Sequence, residues 1–165
     1  MLQYNISDDR AYFQFNEIKG NIDSKVINQF RTYKQNRFYS KEAGGLLLGF
    51  IDQFSHGLLI ELCTVPCFGD KRSRYSFYRG KGHQKKADRW WKHTNSKGTC
   101  LGIWHTHPEA IPTPSSVDNA DFRRFLTASN SISPNLLSII VGTEKIGVWV
   151  GNKNLEIQLV GYLPI

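Results

Sequence analysis

His105 and His107 place two imidazoles one residue apart, and a serine and an aspartate follow at fixed distances in His105-Thr-His107-Pro-Glu-Ala-Ile-Pro-Thr-Pro-Ser115-Ser-Val-Asp118. In a strand over residues 99–105 the two histidines share a face, because side-chain direction repeats every two residues. If Ser115 opens a helix, Asp118 lies one turn on and shares its face. Two imidazoles and one carboxylate on facing elements form a three-ligand set for zinc with one position open, which distinguishes a catalytic zinc from a structural one. Taken singly these features are ordinary. His-x-His on a strand is usually surface or satisfied core, and Ser-x-x-Asp usually only starts a helix. Together they demand more.

Hydrolysis at such a metal also needs a base that carries a proton from water to the leaving amine. That base should be a carboxylate outside the ligand set, on a neighbouring rigid element. Glu42 qualifies, since it opens Glu42-Ala-Gly-Gly-Leu-Leu-Leu-Gly-Phe50, a glycine-punctuated apolar run that reads as a buried strand. The competing reading is an ordinary surface Glu at a helix–strand junction. Glu109, in the proline-rich loop, and Glu61, within Leu58-Leu-Ile-Glu-Leu-Cys-Thr-Val65, are weaker rivals.

The elements that must position these groups can be read from pattern. Gly98-Thr-Cys-Leu-Gly-Ile-Trp104 leads an apolar run into His105, and Pro108, Pro112 and Pro114 make the next segment a loop. Ser115 then caps a helix whose Val117, Phe122, Phe125 and Leu126 are apolar. Ala11–Phe15 alternates like a first strand, and Asp23 or Ser24 caps a helix carrying Val26, Ile27, Phe30 and Tyr33. Residues 43–51 and 57–65 read as paired strands around a turn, with a third short strand over about 74–79. A helix follows over about 83–96, in which Ala87, Trp90, Trp91 and Thr94 recur at helical spacing. Strands are expected over 136–142, 146–150 and 155–163. Helices mixed with mostly meandering strands predict an α/β sandwich around a curved sheet. Residues 1–165 read as one domain.

These residues resemble a known family. Glu42, His105-x-His107, Ser115 after seven intervening residues and Asp118 after two more match the JAMM motif of the JAB/MPN zinc metalloproteases. The Glu-x-Gly-Gly-x-Leu-x-Gly setting of Glu42 matches bacterial members. Thr64-Val-Pro-Cys-Phe-Gly-Asp-Lys-Arg-Ser-Arg-Tyr-Ser-Phe77, His83-Gln, Trp90, Gly102–Glu109 and Pro114–Asp118 look like a branch that includes the JAB-type deconjugating peptidase of type II CBASS anti-phage operons. The resemblance spans about residues 10–160. It implies an MPN (cytidine-deaminase-like) α/β sandwich, with a curved, mostly antiparallel mixed sheet flanked by helices. It implies that His105, His107 and Asp118 hold a zinc ion, that Glu42 moves the proton, and that Ser115 hydrogen-bonds the oxyanion, an effect worth about 3–4 kcal/mol elsewhere. A serine hydroxyl that also caps its helix could do only part of both jobs at once.

The activity implied is a zinc isopeptidase or peptidase, cutting after the C-terminal tail of a conjugated CD-NTase (a cGAS-like nucleotidyltransferase) or ubiquitin-like protein. It would oppose a ubiquitin-activating/conjugating-like partner. Such a tail should be extended and should add a strand beside the site. Alternatives are a deubiquitinase-like peptidase that processes a bacterial ubiquitin-like protein, and a non-catalytic MPN scaffold. A deaminase would want a Cys-x-x-Cys pair, and none occurs.

Composition bounds the partners. The net charge is +7, and ten of the 21 basic residues fall between Lys71 and Lys97 against one acid, Asp88. Interleaved aromatics could suggest nucleic acid. Helical spacing instead makes Trp90 and Trp91 core residues, so the basic face reads as solvated or as a docking patch for an acidic partner. No nucleic-acid or membrane partner is expected, and the oligomeric state stays open. No apolar run approaches the ~20 residues of a membrane span. The first residues lack a basic stretch followed by an apolar core, so no secretory leader is expected. Cys63, Cys67 and Cys100 give no disulfide framework, and a reduced, cytoplasmic setting fits. His56, His83 and His93 read as surface residues.

Overall fold

The computed structural model describes residues 2–5 and 9–165. Its strands are β1 (Leu2–Asn5), β2 (Arg10–Phe15), β3 (Ile18–Asp23), β4 (Gly44–Ile51), β5 (Leu58–Cys63), β6 (Lys71–Arg72), β7 (Phe77–Tyr78), β8 (Thr99–Thr106), β9 (Asn135–Val141), β10 (Lys145–Asn152) and β11 (Ile157–Pro164). The helices are α1 (Ser24–Tyr33), α2 (Gly82–His93) and α3 (Ser116–Ala128). Nine strands form one sheet in the order β1-β2-β3-β5-β4-β8-β9-β10-β11, and β6 and β7 form a separate ribbon. Only the β3/β5 and β8/β9 neighbours are parallel. The sheet curves until β1 approaches β11, with Leu2 close to Gly161. This is the mixed, mostly antiparallel α/β architecture expected.

Both faces of the central strands are dry, which is why β4 and β8 read as continuous apolar runs instead of alternating ones. Leu47, Leu101 and Trp104 pack with Val26, Ile27 and Phe30 of α1 inside the curve. Leu46, Leu48 and Ile103 pack on the other face with Ala87 of α2 and Phe122 and Leu126 of α3. A register shift in β8 beside Gly102 lets Leu101 and Trp104, three residues apart, enter the same cluster. From Ile103 onward the odd-numbered side chains face α3. His105 and His107 are therefore aimed at that helix, and Trp104 and Thr106 at the α1 side.

Local signals set the helix starts. The Asp23 side chain accepts Lys25 N–H and caps α1. Ser115 caps α3 in a reciprocal capping box with Asp118.

Several expectations are corrected. The strand at Ala11–Phe15 is not the first, since β1 precedes it, and β3 was not foreseen. The strand expected over 74–79 shrinks to Phe77–Tyr78, because residues 73–76 form the turn that pairs it with Lys71–Arg72. The helix expected over 83–96 stops at His93, and Asn95 and Ser96 take positive φ beyond it. Trp91 is 50% exposed and Val117 is 70% exposed, so neither is core. The three cysteines are free thiols. Among the described residues no helix is long and apolar enough to cross a membrane.

Two adjacent glycines let the site assemble. A Cβ at Gly44 would lie 2.6 Å from the Phe77 ring and 2.5 Å from Trp104 O, and one at Gly45 would lie 2.0 Å from Thr64 O. The Gly45 contact is backbone on backbone and cannot be relieved by a rotamer change. Gly45→Ala should cost about 2 kcal/mol or more in urea unfolding, by forcing β4 and the end of β5 apart. Near-native stability in that variant would show the close approach to be dispensable.

Candidate functional site

The site lies at the carboxyl end of β8, where a parallel strand, its connecting loop and a helix N-terminus meet. Antiparallel pairing sets Gly44 opposite His105. Thr106 N–H donates to Ala43 O (2.8 Å), and Ala43 N–H donates to Thr106 Oγ1 (2.9 Å). Continued by two residues, this register puts Glu42 opposite His107 and on the same face. The loop after β8 is pinned as well. His107 N–H donates to Val141 O, and Thr143 and Lys145 N–H donate to Glu109 O and Ala110 O.

His105 Nε2 lies 3.1 Å from His107 Nε2. Asp118 Oδ1 is 3.2 Å from the first and Oδ2 is 3.3 Å from the second. Each separation is close to the edge, about 3.3 Å, of a tetrahedron whose centre lies about 2 Å from its corners, the distance of zinc from N and O ligands. The donor set fits such an ion, and these three residues could hold it.

Electrostatics agree with that reading. Burial pulls the His105 pKa down, which favours the neutral ring a metal requires. Burial also opposes protonation of His107, but Asp118, Glu42 and Glu109 outweigh it and raise the pKa. Asp118 resists its own desolvation, held well below the ordinary carboxylate range by the two imidazoles and Ser115. Its place in the first turn of α3 adds the helix dipole.

Glu42 is 4% exposed, so the surface reading fails. Burial raises its pKa from 4.5 to about 7; nearby His107 pulls the value down, and Asp118 and Glu109 push it up. Of its rivals, Glu109 is half exposed, with Oε2 3.8 Å from His107 Nδ1. Glu61 is bound by Arg10 at 2.9 Å and does not line the cleft.

Ser115 is committed to its neighbour. Its hydroxyl donates to Asp118 Oδ2 (2.6 Å) and accepts Asp118 N–H (3.2 Å), while Ser115 N–H donates to Oδ2 (2.7 Å). The one hydroxyl proton must turn away from Asp118 to serve any other acceptor. The acceptor half of the capping box can survive that rotation.

The five residues foreseen from sequence thus line one cleft of about 1030 Å³. Its far wall was not foreseen. The segment from Thr64 to Gly82, carrying the β6–β7 ribbon, folds over Glu42. Glu42 N–H donates to Ser73 O (2.7 Å), and Arg72 Nε donates to Glu42 O (2.6 Å). Arg79 reaches Asp121 of α3 at 2.6 Å, across the cleft.

The wall hangs on His83, expected at the surface but 2% exposed. Its Nε2 lies 3.0 Å from both Asp70 oxygens, and its Nδ1 lies 2.6 Å from Thr64 Oγ1. A carboxylate only accepts, so Nε2 carries a proton. Burial lowers the His83 pKa, leaving a neutral ring whose Nδ1 accepts from the Thr64 hydroxyl. That hydroxyl accepts Leu46 N–H in turn (2.7 Å). Asp70 also accepts Cys67 N–H (2.7 Å) and Gly80 N–H (2.8 Å). His56 and His93 are exposed, as expected.

The prokaryotic homologs of the JAB domain form a family that matches residues 23–156, and the chain belongs to that family. Three similar proteins are named CD-NTase/cGAS isopeptidase. One from Pseudomonas aeruginosa is 39% identical over 147 residues, covering 86% of this chain and 84% of that protein. One from Escherichia coli is 32% identical and covers 80% of each chain, and one from Vibrio cholerae is 30% identical and covers 84% and 85%. A solution structure of a Desulfitobacterium hafniense protein superposes with a TM-score of 0.57 at 19% identity, covering 84% of this chain and 86% of that one, and shares the fold.

Two outcomes test this geometry. Asp70→Ala removes the acceptor of three buried donors and should cost about 3 kcal/mol or more in urea unfolding. Limited proteolysis should then cut first between residues 66 and 80; unchanged protection there would detach the wall from Asp70. Glu42 gives a pH signature. Its folded pKa of about 7 exceeds the ordinary 4.5, so its favourable contribution is complete below about pH 4 and is lost as pH rises through 7. In metal-free protein, Glu42→Gln should therefore be more stable than wild type at about pH 8, by an amount on the order of 3 kcal/mol, and equal to it at about pH 4. Equal melting temperatures at both pH values would disprove the burial cost.

Proposed function

We propose that the protein is a JAMM zinc isopeptidase that releases a CD-NTase/cGAS-like protein from conjugates formed through its C-terminal tail. One observation carries the chemistry: a buried carboxylate, Glu42, lines the same cleft as His105, His107 and Asp118, whose donor atoms lie 3.1–3.3 Å apart. The substrate assignment rests on the names of relatives that the chain matches over most of their length.

In this reading His105, His107 and Asp118 would hold the ion at the floor of the cleft. A zinc ion there supplies Lewis-acid polarisation of the scissile carbonyl and makes water a nucleophile near neutral pH. Glu42, poised near pH 7 by burial, takes the proton of the attacking water and returns it to the departing lysine nitrogen. Ser115 swings its proton from Asp118 to the carbonyl oxygen as charge develops there. The ribbon wall and α3 exclude water around the bond and hold the tail extended. The setting is intracellular, where an enzyme of this class opposes a ubiquitin-activating/conjugating-like ligase.

The test is cleavage of a purified conjugate joined by the nucleotidyltransferase's C-terminus to a lysine. Wild-type protein with one equivalent of zinc should release both partners. Glu42→Gln should lose at least about 10³-fold in kcat with zinc occupancy unchanged by mass spectrometry. Ser115→Ala should lose about 10²–10³-fold with KM little altered. Turnover near wild type in zinc-loaded Glu42→Gln would end the assigned mechanism.

A further inference from the structure

The loop after α1 ends in Lys34-Gln-Asn-Arg-Phe-Tyr-Ser-Lys41, and the ribbon turn carries Lys71-Arg-Ser-Arg-Tyr-Ser-Phe-Tyr78. Phe38 is 82% exposed, Tyr39 is 59% exposed and Tyr75 is 74% exposed. None of the three is placed there by the core, so folding alone gives no reason for them. The two segments that carry them are bonded to each other. Arg74 Nη1 donates to the carbonyls of Arg37 and Phe38, and its guanidinium lies over the Tyr75 ring. Arg37 stacks on Tyr39 and donates to its hydroxyl. Buried Gln35 donates to Ser40 O and Arg74 O and accepts from Thr106, the residue between the two histidines.

Two segments more than thirty residues apart are thereby welded into one aromatic and basic surface. It runs without a break into the cleft, whose lining includes Arg74 and Tyr75. Aromatic residues and Arg are enriched at the centres of protein interfaces, where they carry much of the binding energy. Arg37, Lys41, Lys71 and Arg74 ring the aromatics, and neither stretch contains a carboxylate. A partner that fits must bring its own carboxylates around an apolar centre.

We propose that this face docks the folded body of the conjugated protein whose tail enters the cleft, through an acidic surface with an apolar centre. The proposal rests on the isopeptidase reading and goes beyond it. The tail provides the bond that is cut, and the face selects which protein presents the tail. Nucleic acid is the other polyanion that basic and aromatic residues could hold, but one face of the Tyr39 ring and one of the Tyr75 ring are taken by Arg37 and Arg74.

The experiment compares two substrates of the zinc-loaded full chain. One is the intact nucleotidyltransferase–lysine conjugate. The other is a short peptide of the same C-terminal tail bearing the same isopeptide bond. The variant is Arg37→Glu with Phe38→Ala, neither of which lines the cleft. The KM for the intact conjugate should rise at least about tenfold with kcat unchanged, while the tail peptide is cleaved within about twofold of wild type. In a Glu42→Gln background, where nothing is cleaved, the dissociation constant of the intact conjugate should rise by a similar factor. Cleavage of both substrates by wild type, with no difference between them in the variant, would overturn the docking face and leave the isopeptidase reading standing. Absence of both cleavage and binding of the conjugate by wild type would overturn both. Tight binding of a labelled oligothymidylate that is lost in the variant would reassign the face to nucleic acid.

Discussion

The register between β4 and β8 is the constraint from which the site follows. One slip of a single residue would turn Glu42 away from His107 and send Gly44 and Gly45 to the wrong faces. Backbone and side chain of Thr106 both bond Ala43 and fix the pairing, while Gly44 admits Phe77 of β7 and Gly45 admits the Thr64 carbonyl beyond β5, tying β4 to the wall as well. Each restraint joins residues far apart in sequence. The side chains of His105, His107 and Asp118 do not set this register, so the pairing of β4 with β8 brings Glu42 opposite His107 without them.

Burial of Glu42 is the cost accepted for that alignment. A carboxylate in a dry strand end opposes folding whenever it is ionised, and its raised pKa expresses that opposition. Its backbone is compensated by the ribbon wall through Ser73 and Arg72, and the side chain is left without such support. A group poised between charged and neutral near pH 7 is suited to gaining and losing a proton. Strain of this kind concentrates at functional sites and is carried by the stability of the surroundings.

The legible parts of this chain were local. The His-x-His pair follows from the two-residue period of a strand, and Ser115-x-x-Asp118 from a capping box; both read correctly from a few adjacent residues. The central strands read from apolar runs and the helices from periodicity. Glu42 is different. Its place at the head of an apolar run made it a candidate but left a surface Glu as the competing reading, because its partner His107 is 65 positions away and the pairing is non-local. The family motif pointed to the same residue. The wall failed for the same reason. His83 looks exposed next to Lys81 and Gln84, yet Asp70 and Thr64 bury it. Residues 74–79 look like a strand by composition, but a ribbon strand needs a partner, and the turn at 73–76 takes half of them.

The two kinds of anchoring divide the labour of the molecule. The ligand set stands on the sheet and α3, held by main-chain register and a capped helix, and tolerates little change. The wall stands on a buried Thr64–His83–Asp70 chain and on the ion pair Arg79–Asp121, and it is also bonded to Glu42 through Ser73 and Arg72. His105, His107 and Asp118 are thus held by the sheet and α3, whereas the backbone of Glu42 is shared between β4 and the wall. The basic excess between Lys71 and Lys97 falls partly on that wall, in Lys71, Arg72, Arg74 and Arg79, and not only on the outer face of α2. Part of the basic excess therefore borders the cleft, and among the described residues the buried carboxylates and imidazoles are confined to the cleft and to the His83 network that holds its wall.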